Sequence, residues 1–228
     1  QRIMRAEAIW FAGGDQWRYV SFWRNTPVDS LINEAVRNRN IVIGGTSAGM
    51  AILGGVYFTA QNGTVSSAQA LSNPYHVRMT IDSARFLQIP YMGAVVTDTH
   101  YDNPDRKGRH VAFMARAFTD WGIEARGIAC DEYTAVCIDP EGNAVVFGGF
   151  PAFDDNAYFI QVNCALSERL PENCTPGNHL DWNRNGQALK VYKVKGTTTG
   201  SNRFNVSDWQ TGAGGVWVRI TRGDHDSA

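Results

Sequence analysis

No stretch of these 228 residues stays apolar for the ~18 positions that a bilayer-crossing helix needs, which removes a helical membrane span from consideration. Neither sign of charge is in excess. The 21 Lys and Arg face 22 Asp and Glu for a net charge of −1, so there is no basic field for nucleic acid or an anionic membrane. Cysteine is sparse: the four residues form no C-x-x-C pair, and none sits beside paired histidines, which removes a zinc finger or ribbon. Internal repeats and low-complexity tracts are also lacking, which removes solenoids. What remains is 43% hydrophobic and 19% charged, an ordinary globular composition. A chain of this length can bury roughly 70% of its unfolded surface without staples.

The cysteines fall into two settings. Cys130 and Cys137 lie in strand-like apolar segments and read as buried, inert thiols. Cys164 and Cys174 bracket a loop-rich stretch with Pro171 and Pro176 nearby, where a disulfide is one of two readings. A bridge there favours a periplasmic or secreted protein, and free thiols a cytoplasmic one.

Ile41-Val42-Ile43-Gly44-Gly45-Thr46-Ser47-Ala48-Gly49-Met50 is the most informative segment. A β-branched run stops at glycines, and a helix-compatible segment follows a serine flanked by small residues. This is G-x-S-x-G at a strand-to-helix turn, where glycines let the backbone bend sharply enough to present a hydroxyl. The alternative is a tight βα turn whose serine only caps the helix.

Around this turn, strand and helix patterns alternate. Ala6 to Ala12 reads as a buried strand ending at Gly13-Gly14-Asp15-Gln16. Thr26 as N-cap, Pro27 at the first helical position and Asp29 in the first turn open a helix. Its core face is Val28, Leu31, Ile32, Ala35 and Val36. Gly93 to Thr97 is a further strand, closing on Asp98-Thr99-His100. Val111, Met114, Ala115 and Phe118 mark a second helix, and Arg126 to Cys130 a strand closing on Asp131-Glu132. Ala135 to Ile138 and Ala144 to Phe147 form a hairpin about Pro140-Glu141-Gly142. Such alternation predicts an α/β fold, a doubly wound, mostly parallel sheet with helices on both faces. Residues 1–150 then form the catalytic domain. Residues 151–228 form a loop-rich extension packed on it, with late strands at Leu189 to Val194 and Val216 to Ile220.

Four polar clusters each follow a predicted strand, and ligands of open parallel sheets bind at the carboxyl ends of strands. Together the clusters supply a hydroxyl, an imidazole, carboxylates and glycine-rich backbone N–H groups, the parts of acyl transfer. His100 is the one histidine directly behind a well-formed strand, whereas His76, His110, His179 and His225 read as surface or packing residues. Glu132 is the expected partner of the imidazole, with Asp131 and Asp98 as rivals. Trp10, Trp17 and Trp23 read as core or as pocket lining. The order Ser, His, acid differs from that of α/β-hydrolases.

The blocks Gly13-Gly14-Asp15-Gln16, Gly45-Thr46-Ser47-Ala48-Gly49-Met50, Asp98-Thr99-His100 with Arg106-Lys107-Gly108-Arg109, and Gly127-Ile128 with Asp131-Glu132 and Thr134-Ala135 resemble the cyanophycinase and peptidase E serine peptidases. The similarity runs roughly from Ile9 to Phe147 and favours the cyanophycinase branch. It implies a fold related to class I glutamine amidotransferases, with Ser47 as nucleophile, His100 as base and Glu132 as orienting acid. The oxyanion hole would come from the N–H groups of the Gly13-Gly14 loop, Gly14 in particular, and of Ala48. Gln16, Asp98, Thr99, Arg106 and Arg109 would line the substrate site. The family cleaves bonds after aspartyl residues, or β-linked aspartyl-arginine units, without a cofactor or metal. The resemblance also implies strands ahead of Ala6 in the complete fold, and it leaves a homodimer open. Cyanophycinases resemble Asp-Gln-His before the base, whereas Thr99 occupies the middle position here. Two other readings stay open: an amidase or esterase on the same Ser-His-Glu site, and an inactive binding protein of the fold.

Overall fold

The computed structural model describes residues 2–219. Strand β1 (Ala8–Phe11) is followed by α1 (Gln16–Trp23), α2 (Pro27–Arg39) and β2 (Val42–Gly45), which pairs with β1 in parallel from Ala8–Val42 to Phe11–Gly45. Both helices start on side-chain caps. The Asp15 carboxylate accepts from Trp17 N at 2.9 Å, and Thr26 Oγ1 accepts from Val28 N at 3.2 Å, with Pro27 in the first turn. Ile32, Ala35 and Val36 bury one face of α2.

After β2 come α3 (Ala48–Ala51), β3 (Tyr57–Phe58), α4 (Ser67–Ser72), β4 (Ile81–Asp82), β5 (Val95–Thr99), α5 (Lys107–Trp121) and β6 (Arg126–Cys130). The chain then turns to strands alone: β7 (Thr134–Ile138), β8 (Asn143–Phe150), β9 (Asn156–Val162), β10 (Leu189–Lys195), β11 (Asn202–Asn205), β12 (Gly212–Ala213) and β13 (Gly215–Arg219). The expected β7–β8 hairpin is present, from Thr134–Gly148 to Ile138–Ala144.

The architecture is mixed α/β, but its sheets differ from the doubly wound parallel arrangement expected from the sequence. The five-stranded sheet has the order β13-β10-β9-β6-β5, and only β5–β6 is parallel within it. The β1–β2 ribbon is a separate two-stranded sheet, and a lone parallel bridge, Val56–Val96, ties the segment after α3 to β5. The reason lies in the connections. Parallel neighbours need a crossover, usually a helix, and α5 is the last helix among the described residues, so β7 to β13 return by antiparallel pairing.

Helices also fail to cover both faces. Along β9, Tyr158, Ile160 and Val162 join the core beneath α5, whereas Ala157 and Phe159 join a second core with Ala144, Val146 and Phe204 of the four-stranded sheet β12-β11-β8-β7. The large sheet therefore carries α5 on one face and an antiparallel sheet on the other. Strand β9 is buried along its whole length. Its hydrogen bonds to β6 join the first 150 residues to the last stretch in one sheet.

Of the two readings of Cys164 and Cys174, the structure has the free thiols, with Cys174 buried and Cys164 exposed. Cys130 is buried as expected, its thiol pushed up to about 12 by burial, but Cys137 is exposed. Trp10 is 68% exposed, and Trp17 and Trp23 pack against the core around Phe11 and Val20.

Candidate active site

Ser47 sits where β2 ends, with φ 51° and ψ −120°. A non-glycine residue at positive φ carries about 1–3 kcal/mol of strain and persists only where its surroundings hold it. Here they do so by close approach. A Cβ on Gly45 would stand 2.4 Å from the carbonyl carbon of Gly49, and one on Gly49 would stand 2.1 Å from the carbonyl oxygen of Phe11. Both glycines of the motif are thus required for α3 to close onto the strand ends. The turn is pinned by Thr46 N donating to Phe11 O (3.0 Å) and Gly49 N to Thr46 O (2.9 Å). Thr97 Oγ1 donates to Met50 O at 2.7 Å, tying α3 to β5.

His100 follows β5 directly, also at positive φ (50°). Its Nε2 lies 3.0 Å from Ser47 Oγ and its Nδ1 lies 2.8 Å from Glu132 Oε1. A carboxylate only accepts, so this pairing assigns the ring proton to Nδ1 and leaves the Nε2 lone pair facing the serine hydroxyl. Glu132 lies two residues past the end of β6, which is parallel to β5 in register Thr99–Cys130, so the two strands deliver the imidazole and the carboxylate side by side. The rivals for the acid are engaged elsewhere: Asp98 pairs with Arg109, and Asp131 accepts through Oδ2 from Asn156 N (2.9 Å), Asn156 Nδ2 (3.3 Å) and Tyr158 Oη (3.1 Å).

The loop Gly13-Gly14 passes beside the serine. A Cβ on Gly13 would lie 3.2 Å from Ser47 Cβ, while Gly14 has φ 141° and open space where its side chain would be. Ala48 is buried and follows Ser47 in the turn. Gln16, at the start of α1, donates from Nε2 to Phe58 O at 2.6 Å.

Asp98 and Arg109 lie under the site, not on its surface, at 1% and 4% exposure. Arg109 Nε donates to Asp98 Oδ2 at 2.8 Å and Nη2 to Oδ1 at 2.5 Å, a two-pronged pairing. Asp98 Oδ1 also accepts from Thr99 N at 2.8 Å. Burial pushes the Asp98 carboxyl up, but the Arg109 charge and these hydrogen bonds outweigh it, and the group ends below its ordinary value. The guanidinium stands over the rings of Phe58 and Phe113 at 5.4 and 5.8 Å. Thr99 is buried, its carbonyl accepting from Arg106 Nη1 at 3.0 Å. Arg106 is half-buried, and burial lowers its pKa.

Of the other histidines, His110 is a packing residue, fully buried with Nε2 on Val96 O at 3.1 Å and its charged form disfavoured by burial. His225 lies outside the described residues. The sequence reading missed an aromatic shelf: Tyr133, next to Glu132 and 58% exposed, stacks on Phe153 with centroids 4.2 Å apart. Two loop aromatics flanking polar strand ends were the available signal.

Residues 1–76 match the sequence model of peptidase family S51, a stretch holding the Gly13-Gly14 loop and Ser47 but not His100 or Glu132. Among curated proteins, the chain is 30% identical over 140 residues to a cyanophycinase of Trichormus variabilis, which is 61% of this chain and 42% of that relative. It is 29% identical over 147 residues to a cyanophycinase of Synechococcus elongatus, covering 64% and 41%. It is 27% identical over 146 residues to a cyanophycinase of Geminocystis herdmanii, covering 64% and 48%. The matched part of the chain thus spans less than half the length of these relatives. The first third of the chain is thus similar to peptidase family S51, and a longer stretch is similar to the cyanophycinases.

Proposed function

We propose that the chain is a serine-type peptidase that hydrolyses aspartyl or β-aspartyl peptide bonds through an acyl-enzyme. The observation that carries this reading is the chain of contacts from Ser47 Oγ through the His100 ring to Glu132, at 3.0 and 2.8 Å.

His100 Nε2 takes the Ser47 proton as Oγ attacks the scissile carbonyl, and Glu132 holds the ring and stabilises the imidazolium. The carbonyl electrons move onto oxygen, where the backbone N–H groups of Gly14 and Ala48 are the proposed donors. One such donor is typically worth about 10²–10³ in rate. Collapse breaks the C–N bond, the imidazolium giving its proton to the leaving amine. Water then attacks the acyl carbon as His100 takes its proton, and the acyl–oxygen bond breaks as the imidazolium returns that proton to Ser47 Oγ, releasing the carboxylic acid.

For the aspartyl side of the substrate, Arg106 and Gln16 are the proposed contacts, a guanidinium fork being suited to a carboxylate. Thr99, Asp98 and Arg109 act from beneath, holding the end of β5 and hence His100. The name of the relatives, cyanophycinase, extends the proposal to cyanophycin as a substrate.

Digestion of a peptide library containing aspartyl and β-aspartyl bonds, read by mass spectrometry, tests the reading. Cleavage beside the acidic residue, absent in Ser47→Ala, is expected. Turnover of simple esters and amides with no preference for aspartyl peptides would instead establish the amidase or esterase reading. A failure of an active-site phosphonate to label Ser47 would leave a binding protein.

A further inference from the structure

Asp102, Asp131 and Asp155 come from three separate loops: after His100, after β6, and between β8 and β9. One carboxylate oxygen from each gathers into a group whose members all lie within 4.8 Å of one another. Acidic groups often cluster on surfaces without a ligand, but this one has a member that is not on the surface. Asp131 is 4% exposed, and although Oδ2 accepts three hydrogen bonds, Oδ1 is buried with no partner. A buried polar atom left unpaired ordinarily costs about 1–3 kcal/mol, more if charged. Two further carboxylates beside it deepen the deficit. Among the described residues, no Lys or Arg forms an ion pair with any of the three, the nearby Lys195 pairing with Asp154 instead.

We propose that Asp102, Asp131 and Asp155 form a binding site for a hard divalent cation of calcium's size. All-oxygen donors select hard cations over softer ones. The spacing admits calcium, whose oxygens on opposite sides of the ion stand up to ~5 Å apart at Ca–O distances of about 2.3–2.6 Å, and the flexible calcium shell suits donors from three separate loops better than the near-ideal octahedron that magnesium demands. Water completes the shell on the Asp102 side, which is exposed. The placement gives the ion a role. Asp131 is peptide-bonded to Glu132, and Asp102 is two residues from His100, so one ion joins the loops that carry acid and base. The separate origins of the three aspartates explain why no ligand spacing is visible in the sequence.

The test uses the full chain stripped with chelator, then titrated with Ca²⁺ and separately with Mg²⁺ by calorimetry, with thermal unfolding in parallel. One site per chain is expected, with Kd of about 10⁻⁴–10⁻³ M, the range of weakly charged calcium modules. Mg²⁺ should bind at least tenfold more weakly. Asp102→Asn and Asp155→Asn, both at positions with solvent access, should each weaken Ca²⁺ at least tenfold while leaving the circular dichroism spectrum unchanged. The proposal is overturned if 10 mM Ca²⁺ gives neither heat nor a shift in Tm, or if the double variant binds as the parent does. Binding of arginine amide at this cluster without Ca²⁺ binding would assign it to an organic cation and equally overturn it.

Discussion

Ser47 reaches the site on a turn built from close-packed glycines, whereas His100 and Glu132 reach it on parallel strands braced by a buried ion pair. The first arm contains no charge. Its geometry comes from atoms that are absent: no Cβ at Gly45 or Gly49, so α3 can press onto Phe11. The second arm is held by attraction, Arg109 gripping Asp98 two residues before His100. The difference teaches that the Ser47–His100 contact can be lost in two ways, by adding a methyl group to one arm or by removing a charge from the other.

Deleting the meeting point itself has the largest expected effect. Ser47→Ala should lower kcat/KM on a β-aspartyl dipeptide by about 10⁴–10⁶-fold with Tm nearly unchanged, as steady-state kinetics and calorimetry would record. Retained activity would break the comparison by removing one arm from the chemistry.

Next comes the charged arm. Arg109→Leu leaves Asp98 buried and unpaired and should destabilise by about 3–5 kcal/mol at neutral pH in urea unfolding. The sign of its pH dependence is diagnostic. In the parent, the Asp98 pKa is depressed, so its contribution is present above the ordinary carboxylate value of about 3.9 and is lost as pH falls towards the folded value. In Arg109→Leu, burial acts without its counter-charge, the carboxyl rises above the unfolded value, and the variant should gain stability relative to the parent on acidification. A deficit that stays constant between pH 7 and 4.5 would show that packing, not charge, holds this arm.

On the uncharged arm, Gly49→Ala should destabilise by about 1–3 kcal/mol, the range for overpacking, and should lower kcat more than KM because Ser47 moves. Its deficit should not vary with pH, which sharpens the contrast with Arg109→Leu. The smallest effect concerns the thiols. Under native conditions Cys137 and Cys164 should alkylate with iodoacetamide, while Cys130, buried and held protonated up to about 12, should not. Mass spectrometry of the labelled chain distinguishes them.

The uncharged arm was the more legible in the sequence. G-x-S-x-G after a β-branched run states its own backbone requirement, and Thr26-Pro27 announced α2 just as plainly. His100 and Glu132 were readable because each directly follows a strand, and the structure brings both to Ser47. Strand β9 was not readable. Asn156-Ala-Tyr-Phe-Ile-Gln-Val lacks alternation because both faces are buried, and its Asn and Gln look loop-like until their partners are seen: Asp131 for Asn156 and the Trp209 carbonyl for Gln161. Missing β9 made the later sheet invisible and led to helices being expected on both faces. Asp98 and Arg109 carried the opposite ambiguity, since charge in a motif reads as substrate contact, and only burial reveals a brace.

The position of β9 has a practical consequence for anyone shortening the protein. A fragment ending at Phe150 would keep every residue of the Ser-His-Glu trio, yet it would strip β6 of its antiparallel neighbour and Asp131 of its Asn156 and Tyr158 donors. The bare edge left behind invites intermolecular pairing, and the glutamate would hang from an unsupported strand end. The terminal third is part of the frame that keeps the carboxylate in place.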